Sequence, residues 1–259
     1  NFKPGEGIVV YEADESDGSL VNFEAHTAVL LNLGIDHHEK SKLEDFFSVF
    51  LGRSQNVCIS NKLLYLRPAE KSAVSFAEDI ISELPADFVS SAVVHSQQGT
   101  SFVCDDHKVV TTQFGNHSVS NALAVSAVLV QNGYDAGKVA EALAAFQGVT
   151  RRFDYKGRVG QVHVYDDYAH NVQKIAACIQ TAQNLSEAPV IAAFQPHGYG
   201  PLAFMREALQ DELRAILRPQ DSFIFLPVFY AGGTTSFKPK SSEVAEQYSA
   251  AGLNVTYLS

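Results

Sequence analysis

Four carboxylates stand within six positions at Glu12, Asp14, Glu15 and Asp17, directly after the apolar run Gly7 to Tyr11. Their mutual repulsion is costly unless a cation or helix-terminal N–H groups offset it. A Mg²⁺ site would do so, because hard cations take carboxylate oxygens. The competing reading is that the acids cap a following helix and face water. A second polar cluster, Asp36, His37, His38 and Glu39, follows the apolar run Thr27 to Asn32. Alone it reads equally as a capping Asp with two exposed histidines or as a piece of a metallohydrolase ligand set. Further on, His117 and Asn121 stand four apart. On a helix they would share one face and meet a flat base together, with ordinary capping as the alternative. Asp166 to Asn171, taken alone, reads as a turn.

Elements that position these groups are legible from the pattern. Gly7 to Tyr11 and Thr27 to Asn32 read as buried parallel strands, whose C-terminal ends usually carry the chemistry of an α/β sheet, so Glu12 and His37 are expected at one sheet edge. Ser41 to Leu51 places Leu43, Phe46, Phe47, Val49, Phe50 and Leu51 on a broad helical face, with Ser41 as the expected cap. From Asn56 to Gln113 short β-type runs alternate with turn residues at Gln98, Gly99, Asp105 and Asp106, and predict an antiparallel addition to the sheet. Ser118 to Gln131 and Ala136 to Phe146 predict a helical pair broken at Asn132 and Gly133. After Phe153 the pattern alternates. Strands are expected at Gln161 to Tyr165, Pro189 to Phe194, Ser222 to Pro227 and Asn254 to Leu258, and helices at Val172 to Ala182, Phe204 to Leu217 and Ser242 to Ala251. That is a second, doubly wound parallel sheet.

In this order the segments become recognisable. Glu12 to Asp17 as E-A-D-E-S-D, followed by N-x-x-x-D-H at Asn32 to His37, resembles the central domain of the Mur ligase family, in particular its UDP-N-acetylmuramate:L-alanine ligase branch. By that resemblance Glu12 and His37 help hold Mg²⁺. Gly115 to Ala122 is similar to the family's G-x-H-N-x-x-N-A segment, which implies that His117 and Asn121 lie near the adenine of ATP. Gly148 to Phe153 is similar to G-V-x-R-R-F, which makes Arg152 the nucleotide-phosphate or ribose contact, a role that suits guanidinium. Asp166 to Asn171 resembles D-D-Y-x-H-x, which implies that Asp167 approaches the ribose and His170 lies by the reacting groups. Phe194 to His197 matches F-Q-P-H, and Leu226 to Val228 with Tyr230 to Gly232 matches L-P-V and Y-A-x-G. The substrate side is thereby assigned to His197, Gly198 and Tyr199.

The resemblance implies an α/β architecture: residues 1–150 as part of a central ATP-binding domain, mostly parallel with antiparallel additions, and residues 151–259 as a doubly wound, Rossmann-like C-terminal domain. It implies ATP and Mg²⁺ as cofactors, a UDP-N-acetylmuramate-type nucleotide sugar as acceptor, and L-alanine or a short peptide as the amine. Two departures qualify it. No G-x-x-G-K-T/S phosphate loop occurs in these residues, so the chain reads as a portion of a longer enzyme, not expected to ligate alone. After His197 the branch typically continues R-Y with a further Arg, whereas Gly198, Tyr199, Gly200 and Pro201 stand here. That turn is expected to offer an anion nest at the start of the Phe204 helix, or Arg206 to substitute, which leaves the amine open between L-alanine and a peptide such as the related murein-tripeptide ligase adds.

Composition bounds the alternatives. A formal net charge of -10 opposes sequence-independent nucleic-acid binding, which relies on Lys and Arg neutralising phosphates. No apolar run of about 18 residues predicts a membrane span, and no leader pattern opens the sequence, so a cytoplasmic protein without membrane partners is expected. Cys58, Cys104 and Cys178 are too scattered for a disulfide framework and read as buried apolar fillers. A non-catalytic scaffold that retains the ligase fold is the second reading. A dinucleotide-dependent oxidoreductase ranks last, because no G-x-G-x-x-G follows an early strand.

Overall fold

The computed structural model describes residues 7–34, 39–77, 85–96, 98–230, 232 and 236–259. Contacts divide the chain into two compact units, Asn1–Val89 with Ser120–Ala136, and Ser90–Val119 with Gly137–Ser259.

In the first unit, strands β1 (Thr27–Leu30), β2 (Asn56–Ser60) and β3 (Ala73–Phe76) form a parallel sheet in that order, with Ala28 level with Val57 and Val57 with Ala73. Helix α1 (Lys40–Arg53) makes the crossover between β1 and β2 and buries Leu43, Phe50 and Leu51, the stripe its spacing dictates. Leu20, Leu30, Val57, Ile59 and Leu63 complete the core. The helix end is fastened by Ser54, whose hydroxyl donates to the Phe50 carbonyl and accepts from the Ala25 N–H.

Three local expectations change here. Gly7 to Tyr11 forms no strand: Val9 and Val10 are 81% and 89% exposed, and among the described residues β1 pairs with β2 alone. An apolar run without a ladder partner gains nothing from extended pairing. Ser41 is not the cap, because α1 begins at Lys40 with Glu39 in extended geometry before it. The stretch expected to be antiparallel starts parallel, since β2 and β3 extend the β1 sheet and only the later strands reverse.

The second unit opens with that antiparallel sheet, β4 (Ser91–Ser96), β5 (Gly99–Cys104) and β6 (His107–Thr111), in sequence order. Asp105 and Asp106 close the β5–β6 hairpin with both residues at positive φ, the geometry two-residue hairpin turns require. Helix α2 (Asn116–Gln131) begins in this unit and continues into the first. It ends in a Schellman motif at Gly133, where the Tyr134 and Gly133 N–H groups donate to the Leu129 and Val130 carbonyls, as the Asn132–Gly133 break predicts. Helix α3 (Ala136–Ala145) follows.

The remainder alternates: β7 (Asp154–Val159), β8 (Val162–Asp166), α4 (Val172–Leu185), β9 (Ile191–Phe194), α5 (Tyr199–Ile216), β10 (Ser222–Phe225), α6 (Ser241–Ala250) and β11 (Val255–Tyr257). The α/β class is as expected, with β9, β10 and β11 parallel in the order β11-β10-β9. The expected first strand of that sheet, β8, instead pairs antiparallel with β7, whose polar sequence Asp154–Val159 carries no strand signature. On α5, Leu202, Met205, Leu209 and Leu213 recur at helical spacing and are all buried against Phe223, Phe225 and Tyr248. Asp221 sits wholly buried at the opposite end of this sheet. Burial works to raise its pKa, but donors from Arg218, Val190 and Gln183 hold it well below the ordinary carboxylate range. Among the described residues, no helix is long and apolar enough to cross a membrane.

Candidate functional site

The connection between α3 and β7 turns sharply at Arg151 and Phe153, both with positive φ. Non-glycine residues adopt that region at a cost, so the surroundings must hold them there. Asp167 does so: one carboxylate oxygen accepts the Phe153 N–H at 2.7 Å and the other the Ala169 N–H at 2.7 Å. The Tyr168 N–H adds a bond to the Arg151 carbonyl at 2.9 Å. Phe153 is buried and stacks on Tyr165 at 4.5 Å, with Phe114 beside both rings. The segment 151–153 is thus clamped onto the C-terminal end of β8.

Tyr168 gathers the charged groups. The Arg151 and Arg152 guanidinium carbons lie 4.7 and 5.9 Å from its ring centre, within cation–π reach, and the His170 ring meets it edge-on at 5.2 Å. His170 Nδ1 lies 2.8 Å from the Tyr168 carbonyl oxygen, which can only accept, so Nδ1 carries the proton. Nε2 then accepts from the Lys174 ammonium at 3.3 Å. Asn171 caps α4, accepting the Lys174 N–H, which fixes the start of that helix beneath the histidine.

His117 enters from the first turn of α2. The connection into it passes through Gly115 at φ +83, where an added Cβ would lie 2.4 Å from Thr181 Oγ1 on α4 and 3.0 Å from the His117 ring. Only glycine allows the start of α2 to approach α4 so closely. The His117 rim is exposed, yet the protein packed around its ring pushes the imidazole pKa below its ordinary value, with the nearby Asp167 charge pulling the other way. The same charge adds to burial in raising the Cys178 thiol to about 12. Ser118 donates to the Phe114 carbonyl in the turn before α2.

His117, Arg152, Asp167 and His170 therefore share one neighbourhood of the second unit. Asn121 is exposed one turn beyond His117 on the same stripe of α2, opposite the buried Val119, Leu123 and Ala127. His197, Gly198 and Tyr199 lie at the end of β9. His197 stacks on Phe229 at 5.2 Å, and Tyr199 joins Phe237 at 5.5 Å. Helix α5 begins at Tyr199, five residues before the expected start, so Gly198 is its N-cap and the expected nest is the first helical turn, where Pro201 is tolerated. Arg206 lies further along the helix, 3.7 Å from Glu207.

Glu12 is exposed in the irregular segment before Asp14 and Asp17, whose carboxylates accept the N–H groups of Ser16 and Ser19. Half of the acidic run is thus engaged in local turns. His37, with Asp36 and His38, lies outside the described residues, and among those described no three metal-ligating side chains converge. Tyr168 stands inside the D-D-Y-x-H-x motif without a role of its own there, and Lys174, 3.3 Å from His170 Nε2, is a neighbour of the candidate site outside that motif. The i,i+4 spacing of His170 and Lys174 was the available signal for the lysine.

Comparison with known proteins follows the same residues. Residues 151–258 match the family model described as Mur ligase, glutamate ligase domain. UDP-N-acetylmuramate--L-alanine ligase of Synechococcus sp. (strain JA-3-3Ab) is 31% identical over 100% of this chain and 51% of its own length. Its namesake from Phenylobacterium zucineum is 32% identical over 90% of this chain and 52% of its own length. The chain spans about half the length of the curated relatives it matches. In fold it resembles UDP-N-acetylmuramate-alanine ligase of Thermotoga maritima, with a TM-score of 0.76 at 23% identity over 100% of this chain and 56% of that one. It also resembles a murein peptide ligase of Psychrobacter arcticus, with a TM-score of 0.58 at 18% identity over 93% and 51%.

Proposed function

The chain belongs to the Mur ligase family, and on that premise we propose that it is the ATP- and amine-handling portion of a ligase that joins L-alanine or a short peptide to a UDP-N-acetylmuramate-type nucleotide sugar in peptidoglycan precursor synthesis or recycling. One observation carries the reading. Asp167 pins the strained Arg151–Phe153 turn while Arg152 and His170 both lie against Tyr168, so an arginine, a carboxylate and a histidine are held together at a strand end. The retained constellation disfavours the scaffold reading.

In the proposed reaction a carboxylate oxygen of the sugar's acid attacks the γ-phosphorus of ATP and ADP leaves. The amine nitrogen then attacks the acyl carbon, phosphate departs with that oxygen, and the amine loses a proton to solvent or a base. Arg152 neutralises phosphate charge through its fork of N–H donors. Asp167 accepts the two turn N–H groups and has lone pairs left for a ribose hydroxyl. His117, with Asn121 on the same α2 stripe, offers a flat face for adenine. Glu12 and His37 would hold Mg²⁺, which offsets charge on the transferring phosphate when bound. His197, Gly198 and Tyr199 border the amine side. The boundary of the two domains is proposed near residue 150, supported by the family match beginning at 151.

The test uses the full-length gene product with ATP, Mg²⁺, UDP-N-acetylmuramate and either L-alanine or the murein tripeptide. Phosphate release that requires the amine, with product mass equal to the sum of the two substrates less water, is expected. ATP turnover indifferent to both substrates contradicts the proposal.

A further inference from the structure

One side chain of the antiparallel sheet reaches across to the start of α2. Strand β4 carries a bulge between Ser91 and Val94, with Ala92 at a φ of 51. A bulge adds twist and re-aims the residues beyond it. His95 follows, level with Thr100 on β5, and its Nδ1 lies 3.0 Å from the Thr100 hydroxyl oxygen. Its Nε2 lies 2.8 Å from Oδ1 of Asn116, the first residue of α2. A carboxamide oxygen can only accept, so Nε2 carries the proton and the Thr100 hydroxyl donates to Nδ1.

The sheet end of this bridge is fixed. Thr100 is buried, and Gly99 before it packs so closely on the Thr111 carbonyl of β6 that no Cβ fits. The Thr111 hydroxyl in turn accepts the Gln113 N–H in the connection to α2. At the other end, Asn116 is exposed. An asparagine at a helix start commonly turns its oxygen to a backbone N–H of its own helix; here the oxygen takes the His95 proton instead. Asn116 fills the position that G-x-H leaves open, directly before His117, the group proposed to meet the adenine.

We propose that His95 is a positioning residue for the nucleotide: through Nε2 it holds Asn116, and so sets the direction in which the first turn of α2 presents the His117 ring. This deepens the ligase reading above and rests on its placement of ATP at His117. Without the bridge the Asn116 carboxamide swings to compete for the backbone of its own helix end, and the turn that carries His117 loosens with it. A ring held in one direction before the base arrives loses less freedom on binding, so the bridge acts on nucleotide affinity.

The experiment measures ADP binding by calorimetry, and steady-state kinetics, on the full-length enzyme. Wild type is compared with His95→Phe, His95→Gln, Asn116→Ala, His117→Ala and the His95→Phe/His117→Ala double variant, each checked for an unchanged thermal transition. Asn116→Ala breaks the same bridge from an exposed helix end without touching the sheet. His95→Phe and Asn116→Ala are each expected to weaken ADP by about fivefold and to raise the KM for ATP more than they lower kcat, with the KM for the nucleotide sugar within about twofold of wild type. His95→Gln keeps a donor and an acceptor and is expected to recover most of the loss. On the His117→Ala background, His95→Phe is expected to add less than about twofold, because it acts through that ring. Wild-type affinity in either His95→Phe or Asn116→Ala, or a full additional loss on His117→Ala, overturns the inference.

A second readout is independent of turnover. Nitrogen resonances of ¹⁵N-labelled histidine, assigned by their loss in His95→Gln and His117→Ala, are expected to show the His95 proton on Nε2 and His117 signals that move in both Asn116→Ala and His95→Phe. An Nδ1–H tautomer at His95, or unmoved His117 signals, overturns the inference whatever the enzyme's reaction. A wild type that binds no ADP overturns the nucleotide reading together with the inference. One that binds ADP yet forms no amide overturns ligation alone, while the binding series and the spectra still decide the role of His95.

Discussion

At the scale of single residues, the site depends on groups that hold strained backbone. Replacing Asp167 by Ala leaves the Phe153 and Ala169 N–H groups without their acceptor, and is expected to cost about 1–2 kcal/mol in urea unfolding as well as weakening ADP binding. Gly115→Ala is expected to destabilise by about 2 kcal/mol or more, because its Cβ meets Thr181 Oγ1 at 2.4 Å and its φ of +83 disfavours a side chain. His117 gives a pH signature. Its folded pKa lies below the ordinary 6.5, so its stabilising contribution is complete above that value and is lost as pH falls through it toward the folded pKa. Between about pH 8 and about pH 5, wild type is expected to lose more unfolding free energy than His117→Asn; equal losses would contradict this. The motifs naming Arg152, Asp167 and His170 were legible in sequence because their order and spacing are specific. Tyr168 as the ring against which both arginines lie was not, since cation–π geometry depends on the turn at Arg151, which no spacing announces.

At the scale of elements, strong periodicity translated directly. The α5 stripe of Leu202, Met205, Leu209 and Leu213 is buried as its spacing demands, and the Gly133 break ends α2 in the motif that glycine favours. Elements defined by partners rather than by pattern were misread. Gly7 to Tyr11 has strand composition but no ladder, and β7 has a ladder without strand composition, because pairing with β8 supplies what its polar residues lack. The start of α5 was placed late because glycine and proline at Gly198, Gly200 and Pro201 read as a turn, although all three suit a helix N-terminus. The element most exposed to a single change is the parallel sheet β9-β10-β11. Asp221→Ala would leave Arg218 without its buried partner and free the Val190 and Gln183 donors, with an expected loss of about 3 kcal/mol or more in denaturant unfolding. A loss under about 0.5 kcal/mol would show that the knot contributes nothing net.

At the scale of the whole molecule, the α/β class was readable from sequence. Helix α2 runs from one unit into the other, so no composition change marks the passage. Its first turn carries His117, and its exposed stripe continues to Asn121. Of the two proposed Mg²⁺ ligands, Glu12 is exposed and His37 lies outside the described residues. The most direct measurement follows oxygen. UDP-N-acetylmuramate labelled with ¹⁸O in its carboxyl group is incubated with the full-length enzyme, ATP, Mg²⁺ and the accepted amine, and the phosphate released is weighed by mass spectrometry. One ¹⁸O in each phosphate formed with the amide is the result that ligation through an acyl phosphate predicts. Phosphate released without label, or no amide at all, would contradict the account.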